Sequence, residues 1–266
     1  MMRLAVQEGL FKADFRTFLE KVKGWGLSEV ELWGEGLRDR FDSVKKALRE
    51  TGIGACSICP GANGIRGSLL AGGEQSAVAA ADVEGFLAMA AELGGAALIL
   101  VPEFRAERFP SLGPDDSRFR TNRDAFIERL EPLGEKARRL GARILLEPLN
   151  RYETGFIFTA GQAAAVCDAL DTPGVRLMLD LFHANIEEDD VPETIRRCAG
   201  WLSHVHLADS NRLLPGKGHL DFGGIFTALR EINYSGALCV ECAVSAFSDA
   251  GVAASFDFLR KAAAAL

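Results

Sequence analysis

The sequence lacks a long apolar run, an excess of basic charge and a nucleotide-binding fingerprint. No stretch approaches the ~18 consecutive apolar residues that a membrane-crossing helix requires, so no membrane partner is expected. Lysine and arginine number 30 against 37 aspartates and glutamates, a formal charge of −7. Phosphate neutralisation calls for the opposite balance, which disfavours a nucleic-acid partner. The opening segment MMRLAVQEGLFKADF has too short an apolar stretch for an export signal, and acidic residues follow quickly, so the expected location is cytoplasmic. In that setting the six cysteines read as thiols rather than as a disulfide framework. The segment AVQEGLFKADF holds one glycine where a dinucleotide-binding turn needs three. GANGIRG (Gly61–Gly67) lacks the Gly-Lys-Ser/Thr of a P-loop and reads as a flexible active-site loop.

What the sequence does contain is a rhythm. Short β-branched or leucine-rich runs alternate with longer amphipathic, alanine-rich segments. The runs predict strands at Arg3–Gln7, Glu29–Trp33, Gly54–Cys59, Ala97–Val101, Arg143–Glu147, Arg176–Asp180, Ser203–Leu207 and Ala237–Glu241. Helices are predicted at Asp14–Trp25, Arg40–Thr51, Glu74–Leu93, Asn122–Leu140, Ala160–Leu170, Val191–Ala199, Gly224–Ile232 and Ser248–Ala265. Strict alternation calls for a parallel sheet with crossover helices. Eight units in 266 residues match a single α/β domain, a (β/α)8 TIM barrel over residues 1–266, ahead of an open doubly wound sheet. The two longest irregular stretches, Pro60–Gly73 and Pro102–Arg120, both follow predicted strands and so belong to the face where barrel active sites lie.

Strand parity sorts the polar residues. Side chains at i and i+2 share a face and those at i and i+3 do not. The CxxC of ALCVECAV therefore places Cys239 and Cys242 on opposite sides, and GACSIC does the same with Cys56 and Cys59. Small buried hydrophobes are the expected role for all of them. Glu241, between the two cysteines of the last strand, is different. Parallel-barrel strands read as apolar runs, and an acid near the end of one is costly unless paired or bound to a metal. The pattern recurs: RILLEPLN carries Glu147, VRLMLDLFH carries Asp180 and LSHVHLADS carries His206. Two residues earlier stand Leu145, Met178, His204 and Cys239, facing the interior one layer deeper. Four polar groups at matching heights converge at the C-terminal rim. Three carboxylates there repel unless a cation neutralises them. Three oxygen donors and one imidazole suit one divalent ion per chain, Mn²⁺ first, with Mg²⁺ or Co²⁺ as alternatives; zinc more often recruits further His or Cys.

The stretches EPLNRYE (Glu147–Glu153), DLFH (Asp180–His183), HLADSNRLLPGKGHLDFGGIF (His206–Phe226) and VEC around Glu241 resemble the xylose-isomerase-like barrels, in particular the ketose 3-epimerase branch near D-tagatose 3-epimerase. The resemblance covers the C-terminal half; the N-terminal half matches by βα rhythm alone. It implies that Glu147, Asp180, His206 and Glu241 bind the metal and that Glu147 and Glu241 are the acid/base pair. It further implies that Glu153, Arg212 and His183, the last expected in a loop just beyond the Asp180 strand, bind substrate oxygens. The implied enzyme is an isomerase of carbohydrate metabolism, a sugar epimerase or aldose–ketose isomerase acting through an enediolate on a sugar or keto-polyol. The family also allows a homo-oligomer. An alternative keeps the site but eliminates water or an aglycone from an inosose or keto-sugar. An endonuclease IV-like enzyme fits less well, because that family's trinuclear zinc cluster uses several histidines and only four exist here. A barrel with no catalytic role would need a filled or metal-free rim. His204 is expected deeper in the interior, Asn150 and Asp209 to orient ligands or loops, Asp221 to cap a helix and His219 to sit near the rim. Trp33, Phe104 and Phe11 are candidate pocket walls.

Overall fold

Residues 3–11, 13–104, 117–242 and 248–264 are described in the computed structural model. The described elements run β1 (Arg3–Gln7), α1 (Phe15–Gly24), β2 (Glu29–Trp33), α2 (Leu37–Thr51), β3 (Gly54–Cys59), α3 (Gly73–Glu92), β4 (Ala97–Leu100), α4 (Ser117–Arg139), β5 (Arg143–Leu146), α5 (Ala160–Leu170), β6 (Val175–Asp180), α6 (Leu181–Glu187), α7 (Val191–Arg197), β7 (Leu202–Leu207), α8 (Phe222–Glu231), β8 (Ala237–Val240) and α9 (Asp249–Ala264). Each strand pairs with its neighbour in chain order, and β8 returns to β1 with Leu4 opposite Leu238 and Val6 opposite Val240, all in parallel. The expected (β/α)8 barrel is the fold.

Local chemistry explains the element ends. Asp14 starts α1 by accepting from the Thr17 amide at 3.0 Å. Thr159 and Gln162 form a reciprocal capping box on α5. Asp221 accepts from the Gly224 amide at the start of α8, the cap expected of it. The predicted helices are all present, displaced by a few residues at several ends. Of the stretch Pro102–Arg120, residues 117–120 belong to α4 and 105–116 lie outside the described residues, as does Ala265.

Three expectations change. Glu147 and Glu241 stand one residue beyond their strands, yet their amides still bond across to Leu100 O (3.1 Å) and Leu207 O (3.3 Å). His183 is not in a loop: it lies on α6, which begins as β6 ends. The alternation argument also fails at Cys56. Val30 pairs with Ala55 and Glu31 with Ser57, so Cys56 is the extra residue of a bulge, and its thiol interacts with that of Cys239. Cys239 and Cys242 do part as expected: Cys239 joins the polar interior, and Cys242 packs in the layer between strands and helices. All six cysteines are free.

That outer layer holds most of the apolar core, with Phe18, Phe86, Phe126, Phe226 and Phe256 almost fully buried. The barrel interior is divided. At the end of β3 and on β4 to β6 it is apolar, where Cys59, Ile99, Leu145 and Met178 form a separate cluster with Trp33 against it. On the side of β1, β2, β7 and β8, joined by Ser57 of β3, it is polar, with Gln7, Glu31, His204 and His206 all buried. Among the described residues no helix is long and apolar enough to cross a membrane.

Candidate active site

Consecutive strands carry Asp180, the last residue of β6, and His206, its direct partner in register on β7. Glu147 and Glu241 close the ring from just past β5 and β8. His206 Nδ1 is the centre: Glu147 Oε1 and Asp180 Oδ2 stand 3.7 Å away and Glu241 Oε2 3.8 Å. These spacings are too long for hydrogen bonds. They suit donors grouped about one shared ion. Asp180 Oδ2 and His206 Nδ1 are buried without any hydrogen-bond partner, which is costly for polar atoms unless something else fills the valence. Asp180 contributes to two compact sets of donors, one with His206 and Glu241 and one with Glu147 and His183. Its other oxygen caps α6, accepting from the Phe182 and His183 amides at 2.7 and 3.2 Å. The cap thereby fixes the rotamer that aims Oδ2 at the cluster.

The electrostatics follow from crowding. Burial, reinforced by Asp180 and Glu241, pushes the Glu147 carboxyl well above its usual range, although His206 pulls the other way. Burial likewise lifts Glu241 to about 7, against the pull of His206. Burial also opposes the ionisation of Asp180, but His183 and His206 outweigh it and hold that carboxyl low. The set is thus an acid cluster that calls for a cation, and its donors, mostly oxygen with one imidazole, fit a divalent one.

A second group on the other side of the barrel is not among the residues expected from the sequence. Glu31, in the middle of β2, is fully buried. It accepts from Gln7 Nε2 at 2.8 Å, Ser57 Oγ at 2.6 Å and His206 Nε2 at 3.0 Å. Gln7 Nε2 also reaches Glu241 Oε1 at 3.4 Å. His204 Nε2 stands 3.2 Å from the same Glu31 oxygen but off the hydrogen-bond line, so its nitrogen stays unpaired. Burial disfavours the charged form of Glu31, yet His206 and His204 hold its carboxyl well below the usual range. A mid-strand acid at interior parity in EVELW is the signal that finds it, by the reasoning that singled out Glu241.

The remaining sequence-predicted residues form the cluster's upper edge. Arg212 Nη1 donates to Glu153 Oε1 at 3.1 Å, and Asn150 Nδ2 donates to the same oxygen at 3.0 Å. The Asn150 amide donates to His183 Nδ1 at 3.1 Å. A backbone N–H can only donate, so His183 carries its proton on Nε2, which is buried without a partner. Arg212 lies 4.9 Å from the centre of the Phe182 ring and has a left-handed backbone, φ 60°. Asp209 holds that loop in shape by accepting from the amides of Ser210, Gly216 and Leu220. Gly218 is required there, since a Cβ would fall 2.2 Å from Asp209 Oδ1. His219 bonds Ser210 Oγ and takes no part in the cluster.

A cavity of about 730 Å³ is lined by Glu147, Glu153, Arg212 and Glu241. Trp33, Phe104 and residues of the Gly61–Gly67 loop line it as well, as expected. Gly61 packs so closely on Trp33 that a Cβ would come within 2.6 Å of its ring. Phe11 does not line the cavity; it stacks on Phe18 and Trp25 in the outer core. Its position before α1, on the helix side of β1, explains the difference.

Comparisons with known proteins agree with this architecture. A family model described as a xylose isomerase-like TIM barrel matches residues 19–262. The chain is 31% identical over 246 residues to a 3-dehydro-D-guloside 4-epimerase from Escherichia coli K12, covering 90% of this chain and 92% of that protein. It is 30% identical over 243 residues to a D-psicose 3-epimerase from Agrobacterium fabrum, covering 87% of this chain and 80% of that protein. The crystal structure of a 3-keto-D-glucoside 4-epimerase from E. coli in its apo form superposes with a TM-score of 0.87 at 29% identity, over 98% of this chain and 100% of that one.

Proposed function

The chain belongs to the xylose isomerase-like TIM barrel family, and we propose that it is a sugar epimerase that inverts a carbon beside a ketone. In this reading Glu147, Asp180, His206 and Glu241 hold one divalent cation, Mn²⁺ in preference to Mg²⁺, Co²⁺ or Zn²⁺. The observation that carries it is the unpaired His206 Nδ1 ringed by three carboxylate oxygens at 3.7 to 3.8 Å. A bound cation would supply Lewis-acid polarisation of neighbouring substrate oxygens and offset the charge of an enediolate.

The protein's own groups do the rest. Inversion requires a proton to leave one face of the carbon and return to the other. Glu147 and Glu241 project from different strands, β5 and β8, and so serve opposite faces, one as base and the other as acid. Arg212, fixed by Glu153, and the Nε2–H of His183 hold substrate hydroxyl and carbonyl oxygens. The positioned pair keeps the reacting carbon between the two acids.

Two sugar classes are open to such a site. A free ketose or keto-polyol, inverted next to its ketone, corresponds to the D-psicose 3-epimerase relative. A keto-glycoside is the second class. It is favoured by the cavity of about 730 Å³, large within the roughly 300–1,000 Å³ of small-molecule pockets, and by the guloside 4-epimerase similarity.

The test uses chelator-stripped protein in D₂O with D-psicose, D-fructose, an inosose and a 3-keto-glucoside, followed by NMR. Adding Mn²⁺ is expected to produce the epimer with deuterium at the inverted carbon, and renewed chelation to remove the activity. No deuterium uptake from any of these compounds with Mn²⁺ present sinks the epimerase reading. Release of water or of the aglycone assigns the same site to elimination instead.

A further inference from the structure

We propose that Glu31 is a positioning residue for His206: it takes the Nε2 hydrogen in the barrel interior and so fixes the tautomer that leaves Nδ1 bare toward Glu147, Asp180 and Glu241. The inference rests on the reading that those four residues bind a divalent cation.

The geometry is one-directional. An ionised carboxylate accepts and cannot donate. Three groups already point hydrogens at Glu31: the Gln7 amide, the Ser57 hydroxyl and the His206 ring. With Ser57 and His206 both on Oε2 and Gln7 on Oε1, each carboxylate oxygen is engaged. Glu31 and His206 are both completely shielded from solvent, so no water competes for the Nε2 hydrogen. The tautomer of the neutral ring follows: Nε2 keeps the hydrogen and Nδ1 offers its lone pair, on the side where it has no hydrogen-bond partner. A mid-strand acid in an enclosed interior is costly to retain, and three supporting donors from β1, β3 and β7 offset that cost. The same Gln7 amide touches Glu241, so the interior network reaches a second member of the rim cluster.

A purely structural Glu31 would tie strands together without setting the ring's hydrogen. Glu31→Gln separates the two roles, because the amide keeps the shape but can offer N–H to Nε2 and drive the ring hydrogen to Nδ1. The first measurement is made on metal-free protein labelled with ¹⁵N-histidine, at a pH high enough to leave the His206 ring neutral, reading its tautomer from long-range ¹H–¹⁵N correlations. The second is a calorimetric titration with Mn²⁺, with circular dichroism as the check on folding. Wild type is expected to show a single tautomer, hydrogen on Nε2, and to bind one Mn²⁺ per chain. E31Q is expected to lose that tautomer and to bind Mn²⁺ about 10- to 100-fold more weakly.

A wild-type His206 with its hydrogen on Nδ1 overturns the proposal. So does an E31Q protein with unchanged tautomer and unchanged affinity, or a wild type binding two ions of which E31Q loses one, since Glu31 would then be a ligand itself. If wild type shows the stated tautomer yet binds no divalent ion, the cation reading fails and the assignment of the ring hydrogen to Glu31 stands. Should E31Q not fold, Ser57→Ala carries the test by freeing Glu31 to rotate. A mixed tautomer and a severalfold weaker titration support the proposal, and wild-type values in both overturn it.

Discussion

The rim supplied by β5 to β8 and the interior supplied by β1 to β3 are both buried and both acidic, yet they are built on opposite rules. Rim acids crowd one another and leave Asp180 Oδ2 and His206 Nδ1 unpaired. The interior acid, Glu31, is saturated by donors. Burial, reinforced by the neighbouring acids, raises Glu147 and Glu241, whereas the imidazoles beside Glu31 lower it in spite of burial. At the rim an acid oxygen lacks a partner, which marks a site waiting for a ligand; in the interior the acid is fully supplied, which marks a support, and the unpaired atom is an imidazole nitrogen, His204 Nε2. His206 belongs to both, with one ring nitrogen in each.

The comparison breaks most visibly if rim and interior substitutions have equal effects. Glu147→Gln and Glu241→Gln are each expected to lower turnover by about 10² to 10⁴-fold, the range for loss of a general acid or base, on top of weaker metal binding. Because each change replaces a carboxyl whose ionisation burial and its acidic neighbours disfavour, the metal-free variants should melt at or above the wild-type temperature. Turnover by either variant within tenfold of wild type would remove that residue from the acid/base pair. A marked drop in metal-free melting temperature would show that the rim acids act as supports too.

The difference also explains what was readable beforehand. Glu147, Asp180, His206 and Glu241 each sit at the end of an apolar run, so the same anomaly repeats four times along the sequence. The barrel was legible for a similar reason, since the βα rhythm repeats and β8 needs only β1 to close the ring. Gln7, Glu31 and Ser57 form no such series. Each comes from a different strand, and they meet only because β1, β2 and β3 are adjacent with a bulge that aligns Ser57 with Glu31. A bulge has no marker in GACSIC, so the alternation rule misplaced Cys56 beside it. The sequence leaves His183 looking like a loop residue because DLFH ends a strand and starts a helix with no intervening turn; Asp180 serves as last strand residue and helix cap at once.

A smaller effect is expected at the upper edge of the rim. Arg212→Ala removes a guanidinium that pairs with Glu153 and lies over Phe182. One charge-assisted hydrogen bond to substrate is worth roughly 1.5–3 kcal/mol. The Michaelis constant should therefore rise about 10- to 100-fold, with turnover falling less. Glu153→Ala should cost less than R212A, and the double variant less than the sum of both, because the pair acts as a unit. Additive losses would mean that Glu153 does not act through Arg212.

The smallest effect on chemistry, though not on stability, belongs to the Gly61–Gly67 loop that also lines the cavity. Asp82 on α3 is buried and binds the Arg66 amide (2.9 Å) and its side chain (2.8 and 2.9 Å), with Arg38 at 2.9 Å. It thus ties the Gly61–Gly67 loop to the helix layer. The Arg66 side chain, against the cost of burial, lowers the Asp82 carboxyl to about 2. A folded-state value below the unfolded one contributes stability that is present above the usual range near 3.8 and lost as pH falls through about 2. The difference corresponds to about 2 kcal/mol. Asp82→Asn should therefore lower the unfolding free energy by about that amount at pH 7, with little difference from wild type near pH 2, as read by urea denaturation at both pH values. Turnover on a good substrate should change by less than about threefold, since Asp82 acts on the loop and not on the acids. If D82N destabilises the protein equally at both pH values, its charge is not the cause; if it also stops turnover, the loop wall belongs to the catalytic machinery rather than to the frame around it.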